Sequence, residues 1–129
     1  MILFALSLVN GFLAHVLPLQ NQTLAAHLVG LIGSAFLIAL GALWPQLNQT
    51  PAVSKAGALF AIYGFGMGWL INFVAAATGS LGVFPISVGV SHGNPVGDFL
   101  VSAGLLSVAL ADFTLAGIVF RGLRQTRES

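Results

Sequence analysis

The sequence predicts an all-α integral membrane protein, a four-helix transmembrane bundle made of one domain over residues 1–129. Hydrophobic residues make up 57% of the chain and charged residues 5%, and the mean hydropathy is +1.00. Apolar stretches of about twenty residues, the length that crosses a hydrocarbon layer about 30 Å thick, fill most of the sequence. Helices are favoured over a barrel because lipid cannot satisfy free peptide groups and because strict apolar alternation is missing.

Breaks in the apolar pattern predict four helices, near residues 1–19, 24–44, 56–78 and 98–120. The first stretch has no Lys or Arg ahead of its apolar core, so we expect a retained helix rather than a cleaved signal. Pro18 and the polar run 20–23 separate it from the second helix, for which Thr23 is the expected N-cap. Trp44 and Pro45, an interfacial aromatic followed by a helix breaker, are expected to close that second helix.

The third helix carries small residues along one face, which permits close approach of helix backbones in lipid. These residues are Gly57, Ala61, Gly64, Gly68, Asn72 and Ala76. Residues 79–97 are rich in Gly, Ser and Pro, and we expect them to fold back against the membrane as a lid. Asp98 follows at the start of the fourth helix, where the helix dipole favours a negative charge.

The four basic residues predict the orientation in the membrane. Lys55 lies between helices two and three, and Arg121, Arg124 and Arg127 follow helix four, whereas the 20–23 and 79–97 connections carry none. The positive-inside rule then places both termini in the cytoplasm, in a multi-pass protein of the cell inner membrane. The chain has no cysteine, which excludes disulfides, Cys-ligated clusters and thiolate nucleophiles.

Six polar or ionisable residues fall inside the apolar stretches, and each costs on the order of 2 to 3 kcal/mol unless it has a partner. They are Asn10, His15, His27, Tyr63, Asn72 and Asp112. Asn72 could form a hydrogen bond between helices or take part in a functional site. Tyr63 and Trp69 could be packing aromatics or could line such a site. Asp112, the one acid inside a predicted span, suits either a bond across helices or catalysis.

The three histidines differ in what they predict. His15 is expected at the membrane interface and His92 in an exposed loop. The alternative for each is a role in a functional site. His27 is the strongest candidate for a metal ligand, because neutral imidazole is the usual protein ligand and no neighbouring charge explains its position.

Several chemistries are excluded by the rest of the sequence. A di-iron bundle needs several glutamates, and the one glutamate is Glu128 in the tail. A zinc site built from the three histidines has no supporting spacing. There is no phosphate-binding loop, no nucleophile elbow and no basic patch for nucleic acid. A buried histidine among weak donors suits an iron porphyrin with one protein ligand.

The sequence resembles the hydroxylaminobenzene mutases over nearly its whole length, and is more distantly similar to styrene oxide isomerase. The motifs that carry the resemblance are Ala26-His27-Leu28-x-Gly30, the stretch 36–44 ending in Trp44, Tyr63-Gly64, Trp69-Leu70, Pro85-Ile86, His92, Pro95, 104–107 and Gly122-Leu123-Arg124. The helix-two histidine motif is the most specific of these.

The resemblance implies a homotrimer that holds heme b between subunits, with His27 as the axial iron ligand. Gly30, Ser34 and Trp69 are expected to contact the cofactor. Ferric iron would act as a Lewis acid on a small aromatic substrate, converting an aryl hydroxylamine to an aminophenol or an aryl epoxide to an aldehyde.

The predicted catalytic residues are Asn72, Tyr63 and Asp112, and aromatic walls would come from Phe65, Trp69 and Phe73. A single bundle of close-packed helices has little room for a macrocycle, which also favours an oligomer.

The sequence departs from these relatives at several positions. They usually carry an asparagine six residues after the helix-two histidine, placed to bond the substrate oxygen, and here that residue is Gly33. The mutases tend to have asparagine where this chain has Gly68. The acid and tyrosine that styrene oxide isomerase uses on helix three appear as Tyr63 and Ile71.

Two other functions stay open at this point. One is a heme-binding redox or sensor protein without isomerase activity, which predicts a second axial ligand from His15 or His92. The other is a cofactor-free channel or transporter that uses Asn72 and Asp112 as a polar path.

Overall fold

The computed structural model describes residues 1–17, 19–81 and 95–128, and every regular element in that part is helical. The elements are α1 (Ile2–Leu13), α2 (Gln20–Leu43), a 3-10 helix (Trp44–Gln46), α3 (Pro51–Thr78) and α4 (Pro95–Glu128). α2, α3 and α4 each contain a segment that is long and apolar enough to span a membrane. The predicted all-α, multi-pass membrane architecture is confirmed to this extent.

α1 is shorter than the predicted helix 1–19. Its 12 residues extend about 18 Å, which is less than the hydrocarbon thickness of about 30 Å. After Leu13 the chain continues as a turn, in which the N–H groups of Val16 and Leu17 donate to the Leu13 carbonyl at 2.9 and 3.1 Å. Because a residue that precedes proline avoids the α conformation, Leu17 before Pro18 explains this end. A fourth crossing by α1 stays a prediction.

α2 begins at Gln20, earlier than the predicted residue 24, so the polar run belongs to the helix. Leu19 is the N-cap, and the prediction that Thr23 has this role is wrong. The Thr23 hydroxyl donates to the Leu19 carbonyl at 3.0 Å, which satisfies the hydroxyl within the first turn of the helix. α2 ends at Leu43, and the predicted break at Trp44 is confirmed by the 3-10 helix there.

α3 and α4 both begin at a proline, before the predicted residues 56 and 98. Proline suits the first helical turn, where a missing N–H breaks no internal bond. α3 ends at Gly79, whose φ of 74° is a left-handed conformation that glycine adopts without strain. Residues 95–97, predicted as loop, belong to α4, which also continues beyond residue 120. Residues 82–94 of the predicted lid, with His92, lie outside the described residues.

Successive helices run antiparallel, as paired contacts along them show. Gly30 and His27 of α2 lie against Ser7 and Gly11 of α1, respectively. Gly30 and Gly33 of α2 lie against Trp69 and Phe65 of α3, and Gly57 and Gly64 of α3 lie against Ile118 and Asp112 of α4. The extensive contacts among the described elements join sequence neighbours, and α1 touches α3 only slightly. At the start of α4, the Asp98 carboxylate accepts a bond from the Leu81 N–H at 3.1 Å, which ties α4 to the end of α3.

The buried apolar core is small and lies between α2, α3 and α4. One cluster contains Leu40, Ala61 and Leu115, and a second contains Ile71, Ala75 and Val101. Large apolar side chains cover much of the remaining surface, and Phe113 and Phe120 of α4 are 80% and 72% exposed. Such a surface suits a hydrocarbon environment, in which apolar side chains need no burial by protein. The packed interior is therefore defined mainly by small residues at helix contacts.

Candidate functional site

The His27 imidazole lies between α1 and α2 and is partly buried. Its Nδ1 is 2.6 Å from the main-chain carbonyl oxygen of Ser7. A carbonyl only accepts hydrogen bonds, so Nδ1 must carry the proton that is donated. In the neutral ring, Nε2 is then the atom with the free lone pair. This is the tautomer that a metal ligand needs, and it is held by the main chain of α1.

Two glycines permit the close approach that forms this contact. A Cβ atom at Gly11 would lie 2.8 Å from Nδ1 of His27 and 2.9 Å from its Cε1. A Cβ atom at Gly30 would collide with the Ser7 hydroxyl and would lie 2.7 Å from Cδ1 of Trp69. Gly30 therefore marks the point where α1, α2 and α3 meet. Of the residues predicted to contact a cofactor, the structure brings His27, Gly30 and Trp69 to this junction.

Trp69 supplies an aromatic surface at the junction. Its ring stacks on Phe73 with centroids 5.5 Å apart and planes 5° apart. The indole Nε1 is buried and has no hydrogen-bond partner among the described residues. Phe65, predicted to share this aromatic wall, packs instead beside Phe36 at a centroid distance of 5.2 Å.

Asn10 of α1 is a second buried polar group in this region. It is only 1% exposed, and neither its Nδ2 nor its Oδ1 has a hydrogen-bond partner in the described part of the chain. It directly precedes Gly11, against which the His27 ring packs.

Ser34 and Gly33 lie farther along α2. The Ser34 hydroxyl donates to the carbonyls of Gly30 and Leu31 in its own helix, at 2.5 and 3.1 Å, so its predicted contact with a cofactor stays a prediction. A Cβ atom at Gly33 would lie 3.0 Å from the Phe65 ring. Phe65 thus occupies the space beside the position where the relatives carry asparagine.

Of the three residues predicted to be catalytic, Tyr63 and Asp112 lie on the contact between α3 and α4, whereas Asn72 bonds within its own helix. The Asn72 amide donates to the Gly68 carbonyl of its own helix at 2.8 Å, which leaves Oδ1 as an acceptor. The Ser107 Oγ lies 2.8 Å from the Tyr63 hydroxyl oxygen, and it donates to the Gly104 carbonyl at 2.7 Å. Because that bond uses the serine proton, the Tyr63 hydroxyl is the donor between the two. Tyr63 therefore joins α3 to α4, away from the α1 contact of His27.

Asp112 lies on the same α3 and α4 contact, one helix turn farther. Its carboxylate packs against Gly64, where any Cβ atom would collide with it, and its buried Oδ1 has no partner among the described residues. An apolar groove of about 370 Å³ opens beside it. The groove is lined by Phe36, Phe65, Asp112, Leu115, Ala116, Val119, Phe120 and Leu123. The catalytic roles of Asn72, Tyr63 and Asp112 stay predictions.

His15 lies apart from His27, and His92 lies outside the described residues. His15 contacts Gln20 across the turn before α2, with Nδ1 and Nε2 3.4 Å apart. No group of three His, Cys, Asp or Glu side chains in the described residues could hold a metal ion.

Comparison with known proteins identifies the family. The family model for styrene oxide isomerase matches residues 1–124. The chain belongs to the styrene oxide isomerase family. It is also 34% identical over 123 residues to the hydroxylaminobenzene mutase HabB of Ectopseudomonas oleovorans, a match that covers 95% of this chain and 75% of that protein. No solved structure matches.

Membership of the styrene oxide isomerase family confirms the predicted resemblance and the predicted enzyme class. The protein is an intramolecular isomerase or mutase of the membrane, and its substrate is a small molecule. Both functions left open, a sensor without activity and a cofactor-free channel, lose their support from this result.

Sequence reasoning missed the contribution of α1 to the surroundings of His27. Ser7 and Gly11 had no assigned role, although they lie four residues apart on one face of an apolar helix. Small residues at that spacing indicate a close helix contact in lipid. The same pattern, read together with Asn10, would have pointed to α1 as the helix that faces His27.

Proposed function

We propose that this protein is a membrane isomerase that binds heme b through His27 and converts an aryl hydroxylamine to an aminophenol. The observation that carries the proposal is the hydrogen bond from His27 Nδ1 to the Ser7 carbonyl, since it leaves Nε2 to ligate iron. The 34% identity to a hydroxylaminobenzene mutase favours the hydroxylamine over the aryl epoxide, which is the second substrate class to test.

The proposed reaction is an isomerisation that balances without a co-reactant. The N–O bond of the substrate breaks, a C–O bond forms at a ring carbon, and one hydrogen moves from that carbon to nitrogen. When bound, heme iron would supply a Lewis acid that polarises the N–O bond, with no net change of oxidation state.

Residues of this chain would orient the substrate and exclude water. The stacked rings of Trp69 and Phe73 offer an aromatic face on which an aryl group with developing positive charge is stabilised. The apolar surroundings limit capture of that group by water. We assign to the Oδ1 of Asn72 the role of accepting a hydrogen bond from the substrate, because its Nδ2 already donates to the Gly68 carbonyl.

We further propose that the working enzyme is a homotrimer in the cell inner membrane with both termini in the cytoplasm. Exposed apolar side chains on α4 leave surface for lipid and for neighbouring subunits. The cationic residues Lys55, Arg121 and Arg124 lie at one end of the antiparallel helices, which supports the orientation.

The proposal is tested by a pyridine hemochrome assay and visible spectrum of the purified protein, expressed with added heme, beside His27→Ala and His15→Ala. We expect about one heme b per chain in the wild type, loss of most of it in His27→Ala, and little change in His15→Ala. The same proteins are assayed with hydroxylaminobenzene and styrene oxide. A colourless wild type, or a His27→Ala variant with full heme and full activity, contradicts the proposal. A low-spin spectrum that His15→Ala abolishes indicates two histidine ligands instead.

A further inference from the structure

Asn10 is unusual among the polar residues inside these helices, because its amide has no partner. The hydroxyls of Thr23 and Ser34 and the amide of Asn72 each donate to a carbonyl one turn back in their own helix. Asn10 is 1% exposed, and its Nδ2 and Oδ1 make no such bond within the described structure. A buried amide without a hydrogen bond is costly in protein and more so in hydrocarbon, where no water compensates it.

A second unpartnered donor lies at the same helix junction. The buried Nε1 of Trp69 is bonded to Cδ1, the atom that lies next to Gly30 at the contact with Ser7. Asn10 stands one helix turn after Ser7 on α1 and next to Gly11, which faces the His27 ring. Asn10 thus lies on α1 between the residues that contact Gly30 and His27, and Trp69, which also lies against Gly30, stacks on Phe73.

We infer that Asn10 and the indole N–H of Trp69 bind the polar end of a neutral aryl hydroxylamine while its ring lies on the aromatic stack. This inference rests on the proposed function and assigns its substrate recognition. The Asn10 Nδ2 and Trp69 Nε1 donate to the substrate oxygen, and the Asn10 Oδ1 accepts a hydrogen from the N–OH group.

The pattern of donors and acceptor also selects between the two substrate classes. An epoxide oxygen accepts hydrogen bonds but donates none, so it would leave the Oδ1 of Asn10 unpaired. A site built to pair a substrate donor discriminates against an analogue that lacks it, because the buried acceptor then stays unsatisfied. The site therefore favours the hydroxylamine over an epoxide of similar size.

The test is Asn10→Leu, which keeps a similar volume and removes both amide atoms. In the heme-loaded protein we expect the KM for hydroxylaminobenzene to rise about 10- to 100-fold, because the substrate donor loses its buried partner. The KM for styrene oxide should change less. The thermal stability of the ligand-free variant should be equal to or higher than that of the wild type, because an unpaired amide has been replaced by an apolar group.

Two further variants make the result decisive. Thr23→Val removes a buried hydroxyl that is bonded within its own helix, and it should leave KM unchanged. Trp69→Phe keeps an aromatic ring and removes the indole N–H, so it should also raise the KM for hydroxylaminobenzene. If Asn10→Leu does not fold, this variant tests the inference in its place. An unchanged KM in stable Asn10→Leu, or a marked loss of its stability, overturns the inference.

Failure of the proposed function is read separately, from the wild type. Absent heme or absent turnover in the wild type refutes the heme isomerase proposal and does not involve Asn10. In that case thermal stabilisation by added 4-aminophenol is compared between the wild type and Asn10→Leu. Stabilisation of the wild type alone supports the binding site, whereas equal stabilisation or none in both overturns it.

Discussion

At the scale of single residues, the most informative feature is the position of the His27 ring between a carbonyl oxygen and a glycine. The carbonyl of Ser7 accepts a hydrogen bond from the Nδ1–H, and Gly11 leaves room for the ring. Partners of this kind orient a ligating imidazole and increase its basicity. In the proposed heme site, α2 supplies the ligand and α1 sets its orientation.

Gly11→Ala tests this division of roles. Because the new Cβ atom would lie 2.8 Å from Nδ1 of His27, the ring has to move away from its acceptor. We expect heme affinity to fall about 10- to 100-fold, the usual effect of losing such an outer partner. Heme titration of the purified protein measures the change.

Gly41→Ala is the matched control for that substitution. A Cβ atom at Gly41 meets nothing within 4 Å, so the same chemical change on α2 should leave heme affinity as in the wild type. If Gly11→Ala binds heme as tightly as this control, α1 does not orient the ligand.

At the scale of the elements, close contact between helices depends on small residues rather than on large apolar side chains. Gly30 lies where α1, α2 and α3 meet, and Gly64 and Gly104 provide similar contacts between α3 and α4. In lipid, contacts between large apolar side chains gain little over contacts with lipid tails, so close backbone approach is what holds the helices together.

Gly30→Ala should therefore weaken the packing of α1. The added methyl group collides with the Ser7 hydroxyl and lies 2.7 Å from the Trp69 ring, and such overpacking costs about 1 to 3 kcal/mol. Thermal unfolding in detergent should show a lower Tm. Ser7→Ala in the same chain should recover part of the loss, because it removes the colliding oxygen. A double variant no more stable than Gly30→Ala would show that the collision with Ser7 is not the cause.

Much of this helical organisation was predictable from the sequence, because apolar length and breakers depend on local chemistry. The break after Leu43 and the acidic residue in the first turn of α4 are examples of predictions that the structure confirms. The predicted length of α1 and the predicted cap of α2 were wrong, because a turn follows Leu13 and because Thr23 bonds to the Leu19 carbonyl from inside the helix. Helix termini depend on such local competition.

The candidate site was predictable only in part. His27 stood out because an imidazole in an apolar helix is costly. The Ser7 carbonyl that accepts its hydrogen bond could not be predicted, because a main-chain carbonyl has no sequence signature. Tyr63 shows the same limit, since its partner Ser107 lies 44 positions away and only the packing of α3 on α4 brings the two together.

At the scale of the whole molecule, charge is distributed unevenly between the two ends of the helices. The antiparallel arrangement brings the 44–50 connection and the end of α4 to one end of the molecule, together with Lys55, Arg121 and Arg124. The connection before α2 lies at the other end and carries no basic residue. The positive-inside rule predicts that the end with these basic residues faces the cytoplasm.

Single-cysteine labelling tests this orientation, and the cysteine-free chain needs no prior mutation for it. Asn21→Cys and Gln125→Cys place exposed thiols at opposite ends of the molecule. With a membrane-impermeant maleimide, we expect Asn21→Cys to react in intact spheroplasts and Gln125→Cys to react only after permeabilisation. The reverse pattern would invert the orientation, and labelling of both in intact spheroplasts would contradict a common cytoplasmic side for the basic residues.

The use of a main-chain oxygen to hold His27 has a consequence for how the site can vary. Every amino acid carries that oxygen, so residue 7 can change identity while the hydrogen bond to Nδ1 persists. Alanine scanning of residue 7 would therefore report only the loss of its hydroxyl, and aligned relatives need not share a residue there. The interaction depends on the backbone position of α1 rather than on the side chain of residue 7. An amide-to-ester replacement that weakens this carbonyl as a hydrogen-bond acceptor would test the interaction directly.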